Sequence, residues 1–245
     1  MNHYIFSVHR GGSCVVGDIS KICADENSIP TNMIGTEQFE EVSPTGCAIR
    51  ISHNKYRPIE GNWICRSGVF APIRRPDFFP PSIIRDEDKL VLIIRDPRDC
   101  MVSGFFGFLK LHEGGLKNPD NLEKFNAGID KYVLNDLLPM YKENYIGYID
   151  LIEKCSINVL KYEEMVTDFS KWFVQFYSLA GFGSDNFQKC ESMCTHFFSP
   201  VEEDENRHKR KMIPGDYLEK LHRETISQLD NELAFVLDYF EYSRS

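Results

Sequence analysis

The chain has 245 residues, with 28 Lys or Arg against 37 Asp or Glu, a formal net charge of −9. That balance argues against a dedicated nucleic-acid binder, whose affinity rests on a basic surface that neutralises phosphates, while 42% hydrophobic and 27% charged residues argue against disorder. No apolar run reaches the roughly 18 residues that span a bilayer, and Met1 to Val8 lacks a basic leader, so no secretory signal and no membrane partner are expected.

Tyr4 to Val8 is a β-branched and aromatic run followed by His9-Arg10-Gly11-Gly12, with Ser13 as an N-cap, and so predicts a strand, a glycine turn and a helix. The helix continues through Val15, Val16, Ile19, Ile22 and Cys23 at 3/4 spacing and ends near Ala24. Asp25 to Pro44 reads as a polar loop with one short helix at Glu37 to Glu41, and strands are expected at Cys47 to Ser52 and Trp63 to Val69. Pro72, Pro76, Pro80 and Pro81 predict a surface crossing, because proline fits neither a helix interior nor a central strand. Lys89 to Ile94 is the clearest strand, apolar without alternation as in a parallel sheet covered on both faces. Helices follow at Asp99 to His112 and Leu122 to Glu153, with a break near Gly128, then a short strand at Ile157 to Lys161. Helices at Thr167 to Ala180, Ser184 to Met193 and Pro214 or Gly215 to Phe240 complete the chain. Strands alternating with helices predict an α/β fold, a central parallel sheet flanked by helices, in one domain over residues 1–245.

Three basic clusters stand out in this acidic chain. Arg10-Gly11-Gly12-Ser13-Cys14 joins the first strand to the first helix, where backbone N–H groups and the helix dipole bind phosphate or sulfate. It is not a nucleoside-triphosphate loop: Gly12 and Gly17 have the spacing, but Asp18 and Ile19 stand where lysine and Ser/Thr belong. Arg95-Asp96-Pro97-Arg98-Asp99 follows the best strand, with Ser103 about two helical turns on. An arginine at the carboxyl end of a parallel strand faces the ligand crevice of α/β folds and forks onto phosphate oxygens. The third cluster is Arg210-Lys211-Met212-Ile213-Pro214-Gly215-Asp216-Tyr217.

These motifs, in this order, resemble the PAPS-dependent sulfotransferases, whose cofactor is 3′-phosphoadenosine 5′-phosphosulfate and whose fold is P-loop-like. The resemblance implies that Arg10, Gly11, Gly12, Ser13 and Cys14 cradle the 5′-phosphosulfate, and that Arg95 and Ser103 hold the 3′-phosphate. It places Tyr162, in Leu160-Lys161-Tyr162-Glu163-Glu164-Met165, by the adenine, and Arg210 with Lys211 in a late loop over the 3′-phosphate. Cys14 departs from the usual hydroxyl, Val15 from the adenine-stacking tryptophan, and Met212 from the late-loop glycine. Arg66-Ser67-Gly68 aligns with Lys-Thr-His of the cytosolic branch, which puts Gly68 in place of the usual catalytic histidine. Glu37, ahead of Glu41 and with Glu40 nearby, is the candidate base, and His53 the runner-up; Arg10 is the catalytic cation.

The expected activity is sulfuryl transfer from PAPS, leaving PAP, to a hydroxyl or amine of a small-molecule acceptor, with no metal. The alternatives are a non-catalytic PAP-binding module and an atypical nucleotide phosphotransferase. Eight cysteines, Cys14, Cys23, Cys47, Cys65, Cys100, Cys155, Cys190 and Cys194, are scattered singly and suit a reducing, cytoplasmic compartment. Cys190, Cys194 and His196 lack a standard zinc spacing, and His112-Glu113-Gly114-Gly115 lacks the second histidine of a zinc-protease helix.

Overall fold

A computed structural model describes residues 1–33, 67–76, 79, 81–112, 114–198, 204–205 and 211–245. The chain divides into two compact units, Met1–Ile94 with Gly147–Phe198, and Arg95–Ile146 with Ser199–Ser245.

The first unit holds the sheet. Its strands are β1 (His3–Ser7), β2 (Thr31–Met33), β3 (Val69–Ile73), β4 (Lys89–Ile94) and β5 (Asn158–Lys161), in the order β2-β3-β1-β4-β5. Every pairing is parallel, with His3 opposite Lys89 and Ser7 opposite Ile93. The chain leaves β1 towards β2 and β3 on one side and resumes with β4 on the other. The carboxyl end of β1 therefore lies at the switch in strand order where such sheets bind ligands.

Both faces of the sheet are covered, which is why β1 and β4 carry continuous apolar stretches, Tyr4 to Phe6 and Leu90 to Ile94. On one face Ile5, Val91 and Ile93 pack with Val16 and Ile19 of α1 (Ser13–Glu26), and with Trp172, Phe173 and Phe176 of α7 (Phe169–Leu179). On the other, Tyr4 and Phe6 meet Phe79 at ring distances of 4.8 and 5.0 Å, and Phe6 meets Tyr148 at 6.4 Å. Side-chain alternation along β1 sorts the aliphatic residue to the helical face and the aromatic ones to the opposite face. The unit also contains α6 (Tyr162–Thr167) and α8 (Phe187–Thr195).

The second unit is helical: α2 (Pro97–Phe106) continues through a π-helical turn at Gly107–Leu111, followed by α3 (Pro119–Asn126) and α4 (Ile129–Tyr132). A second π-helical turn, Val133–Leu137, leads into α5 (Leu138–Lys154), whose last residues belong to the first unit. The expected break falls at Gly128, whose φ of 94° marks the start of α4. Near the end of the chain come α9 (Tyr217–Lys220), α10 (Arg223–Glu232) and α11 (Ala234–Tyr239).

Several expectations change. Gly12, and not Ser13, is the N-cap of α1, and the one helix expected from Pro214 or Gly215 to Phe240 is three, α9, α10 and α11. Thr31–Met33 is a strand where a loop was expected, and Pro72 lies inside β3 and not in a surface crossing. The sheet accommodates the missing N–H because the β1–β3 register shifts between Tyr4 and Phe6, opposite the proline. The strand expected at Cys47 to Ser52, the short helix at Glu37 to Glu41, and all but the end of the strand expected at Trp63 to Val69 lie outside the described residues. Among the described residues, no helix is long and apolar enough to cross a membrane.

Candidate active site

In the first unit the turn after β1 is built from backbone geometry that few residues tolerate. Gly11 N–H donates to the Val8 carbonyl at 2.8 Å, and the Ser7 hydroxyl donates to the Gly11 carbonyl at 3.3 Å. Arg10 takes φ 63° and Gly12 φ 81°, both left-handed, so the chain reverses within four residues and enters α1 at Ser13. Gly12 also has no room for a side chain: a Cβ there would stand 2.8 Å from Tyr162 Cε2 and 3.2 Å from Met165 Cε. No side chain caps α1 and no acidic residue occupies its first turn, so the helix presents its positive end at this turn.

Arg74 directly follows β3 and completes this group. Its Nε donates to Ser13 Oγ at 3.0 Å, and its terminal nitrogen lies 3.8 Å from the exposed Cys14 Sγ. Sequence reasoning missed this residue, because it placed the end of the strand near Val69 and the strand runs to Ile73. The same shift corrects the alignment at Gly68. The Gly68 carbonyl accepts from His3 N–H at 2.9 Å, at the amino ends of β1 and β3, whereas the turn lies at the carboxyl ends. Arg74 and Arg75, not Ser67 and Gly68, follow the carboxyl end of that strand.

In the second unit, Asp96 caps α2 by accepting from Arg98 N–H at 2.9 Å, with Pro97 in the first helical position. The two arginines of the motif do different things. Arg98 is 1% exposed and is consumed by the fold: it forks onto Asp96 at 3.0 and 2.7 Å, meets Asp230 at 2.5 Å, donates to the Ser243 carbonyl and lies 4.2 Å from the Tyr217 ring centre. Burial alone would lower its pKa, but the bonds and charge of Asp96 outweigh that and hold it above its usual range. Arg95 is 4% exposed and lies 3.7 Å from Asp99 Oδ2. Ser103 is half-buried on α2, one turn past Asp99 on the same face. Lys211 pairs with Asp216 at 3.2 Å and Glu219 at 2.6 Å, and these bonds, Glu219 first, raise its pKa.

The structure thus groups Arg10, Gly11, Gly12, Ser13, Cys14 and Tyr162 with Arg74, and groups Arg95 with the turn that follows Lys211. Glu37, Glu40, Glu41, His53 and Arg210 lie outside the described residues. Cys190 and Cys194 are buried with Cys23, whose thiol is pushed far up by a hydrogen bond to Cys194 and by burial; these are core groups. His196 Nδ1 donates to the Met193 carbonyl at 2.6 Å, and no three His, Cys, Asp or Glu side chains among the described residues are grouped to hold a metal ion. The described cysteines are all free thiols.

A sulfotransferase domain model matches residues 74–234, more than half of the chain. The guinea-pig (Cavia porcellus) 3-alpha-hydroxysteroid sulfotransferase is 28% identical over 90 residues, 37% of this chain and 30% of that protein, so the aligned stretch spans less than a third of this relative. Mouse sulfotransferase SULT7A1, in a crystal structure complexed with PAP, superposes with a TM-score of 0.57 at 15% identity, over 96% of this chain and 84% of that one. This likeness shows a shared fold, and the match over residues 74–234 establishes that the chain belongs to the sulfotransferase domain family.

Proposed function

We propose that residues 1–245 act as one sulfotransferase domain that moves a sulfuryl group from PAPS to a hydroxyl or amine of a small-molecule acceptor by in-line displacement. The observation that carries this reading is the β1–α1 turn. Its left-handed Gly12 is closed by Tyr162, and the Arg74 guanidinium sits on Ser13 at the uncapped, acid-free start of a helix. The donors fit the cofactor chemically: guanidinium, hydroxyl and backbone N–H groups are ligands for phosphate and sulfate oxygens and need no metal bridge.

When bound, PAPS supplies the sulfuryl group together with a phosphate leaving group. Arg10, Arg74, the Gly12 and Ser13 amides and the α1 dipole stabilise the negative charge at its 5′ end, an electrostatic preorganisation. Arg95, Ser103, Arg210 and Lys211 hold the 3′-phosphate, and Tyr162 lies by the adenine. Glu37 takes the acceptor proton, with His53 as the alternative base. The net charge of −9 disfavours a long polyanionic glycan as acceptor and favours a small cationic or aromatic metabolite. The name of the guinea-pig relative, a hydroxysteroid sulfotransferase, agrees with a small acceptor.

The test is transfer of isotope from labelled PAPS to a metabolite mixture. Labelled product is expected. Binding of PAP with no transfer would mark a non-catalytic module, and preference for ATP with Mg²⁺ over PAP would mark a phosphotransferase.

A further inference from the structure

Asp99 carries no role in the proposed chemistry, yet its carboxylate, less than 2% exposed, has three partners. Its Oδ2 accepts from Gly215 N–H at 2.8 Å, and its Oδ1 accepts from Tyr217 N–H at 3.1 Å. The Arg95 guanidinium stands 3.7 Å from the same Oδ2. Gly215 takes φ 85°, so the backbone turns sharply at the clamped position and aims two amides of one turn at one carboxylate. Between those amides Asp216, 2% exposed, meets Lys211 Nζ at 3.2 Å. One side chain therefore ties the arginine at the start of the second unit to the turn that holds Lys211.

We infer that Asp99 is a positioning residue for recognition of the cofactor's 3′-phosphate, fixing Arg95 and the Lys211–Tyr217 turn in one arrangement. The inference rests on the assignment of PAPS as cofactor and deepens it. A carboxylate beside a phosphate site is costly by charge alone, since it partly offsets the guanidinium that should attract the ligand. What it supplies in return is order: without it the turn and the arginine would have to be immobilised when the nucleotide binds, which weakens binding. Burial raises the Asp99 pKa, while the charge of Arg95 and the two amide bonds act in the opposite direction.

The experiment compares wild type, Asp99→Asn and Arg95→Ala, all as full chains. Calorimetry is done with PAP and with adenosine 5′-phosphosulfate, which lacks the 3′-phosphate, and hydrogen exchange is followed at the Gly215 and Tyr217 amides. Asp99→Asn keeps the shape but can accept only one of the two amide bonds well. It is expected to weaken PAP by roughly 10-fold or more, on the scale of one charge-assisted hydrogen bond. Adenosine 5′-phosphosulfate should change by less than about 3-fold, and the two amides should exchange faster while the rest of the chain keeps its protection. Equal weakening of both nucleotides would make Asp99 a general support, and unchanged PAP binding would remove it from recognition; either overturns the inference. A wild type that does not prefer PAP, or an Arg95→Ala change that does not erase the preference, would overturn the cofactor assignment itself, and the inference with it. If the variant does not fold, wild type carries the test. PAP, but not adenosine 5′-phosphosulfate, should slow exchange at Gly215 and Tyr217, and equal or absent slowing contradicts the proposal.

Discussion

Arg95 and Arg98 are three positions apart in one motif, yet burial assigns them to different tasks. Arg98 neutralises Asp96 and Asp230 in the interior of its unit. Removing one partner of such a network strands the others, so Arg98→Met should cost about 3–5 kcal/mol of stability, read from urea unfolding. A cost below about 1 kcal/mol would contradict the assigned role. Gly12 makes a second residue-scale test. Gly12→Ala forces a side chain into left-handed backbone, at about 1–2 kcal/mol, and drives its Cβ against the rigid Tyr162 ring, so both stability and PAP affinity should fall. An alanine variant that binds PAP as tightly as wild type would mean that the turn does not touch the nucleotide. For the base, Glu37→Gln should lower the transfer rate constant by about 10² to 10⁴ with PAP affinity nearly unchanged. Wild-type turnover in that variant, with activity abolished by His53→Ala, would move the role to the histidine.

At the scale of elements, legibility followed periodicity and length. β4 was readable because the apolar, β-branched-rich run from Leu90 to Ile94 is too short for a buried helix, and α1 because its apolar residues recur at 3/4 spacing. The turn between β1 and α1 could be placed because glycines and a serine mark a strand-to-helix junction. β2, three residues long, and β3, five residues with Pro72 inside, fall below what local pattern can resolve, and the bulge that admits the proline depends on a partner strand far away in sequence. Arg74 was hidden for that reason: its value comes from standing at a strand's carboxyl end, and that end was misplaced. Asp99 was hidden differently, because its two amide partners lie 116 and 118 residues along the chain and leave no local signature.

At the scale of the molecule, His3 links the sheet unit to pH. It is 2% exposed, stacks on Phe182 at 5.5 Å and donates from Nδ1 to the Ala180 carbonyl at 2.6 Å. Burial lowers its pKa from the ordinary 6.5, although the bond to Ala180 acts the other way. The unfolded chain therefore takes up a proton below the ordinary value while the folded ring resists. The stability His3 contributes is present above about pH 6.5 and is lost as pH falls towards the depressed folded-state value. The urea midpoint should drop between pH 7.5 and 5.5, and His3→Gln should flatten that drop; a slope unchanged in the variant would assign the effect to other groups.

The central claim, that this chain binds a 3′-phosphorylated adenine nucleotide through arginines, a serine and backbone amides, is tested most directly by calorimetry with PAP in EDTA. Wild type should bind without divalent metal. Arg95→Ala should bind PAP roughly 10-fold to 150-fold more weakly, the worth of one hydrogen bond to a charged group, and leave adenosine 5′-phosphosulfate nearly untouched. Folded wild-type protein that shows no detectable binding of PAP would contradict the account.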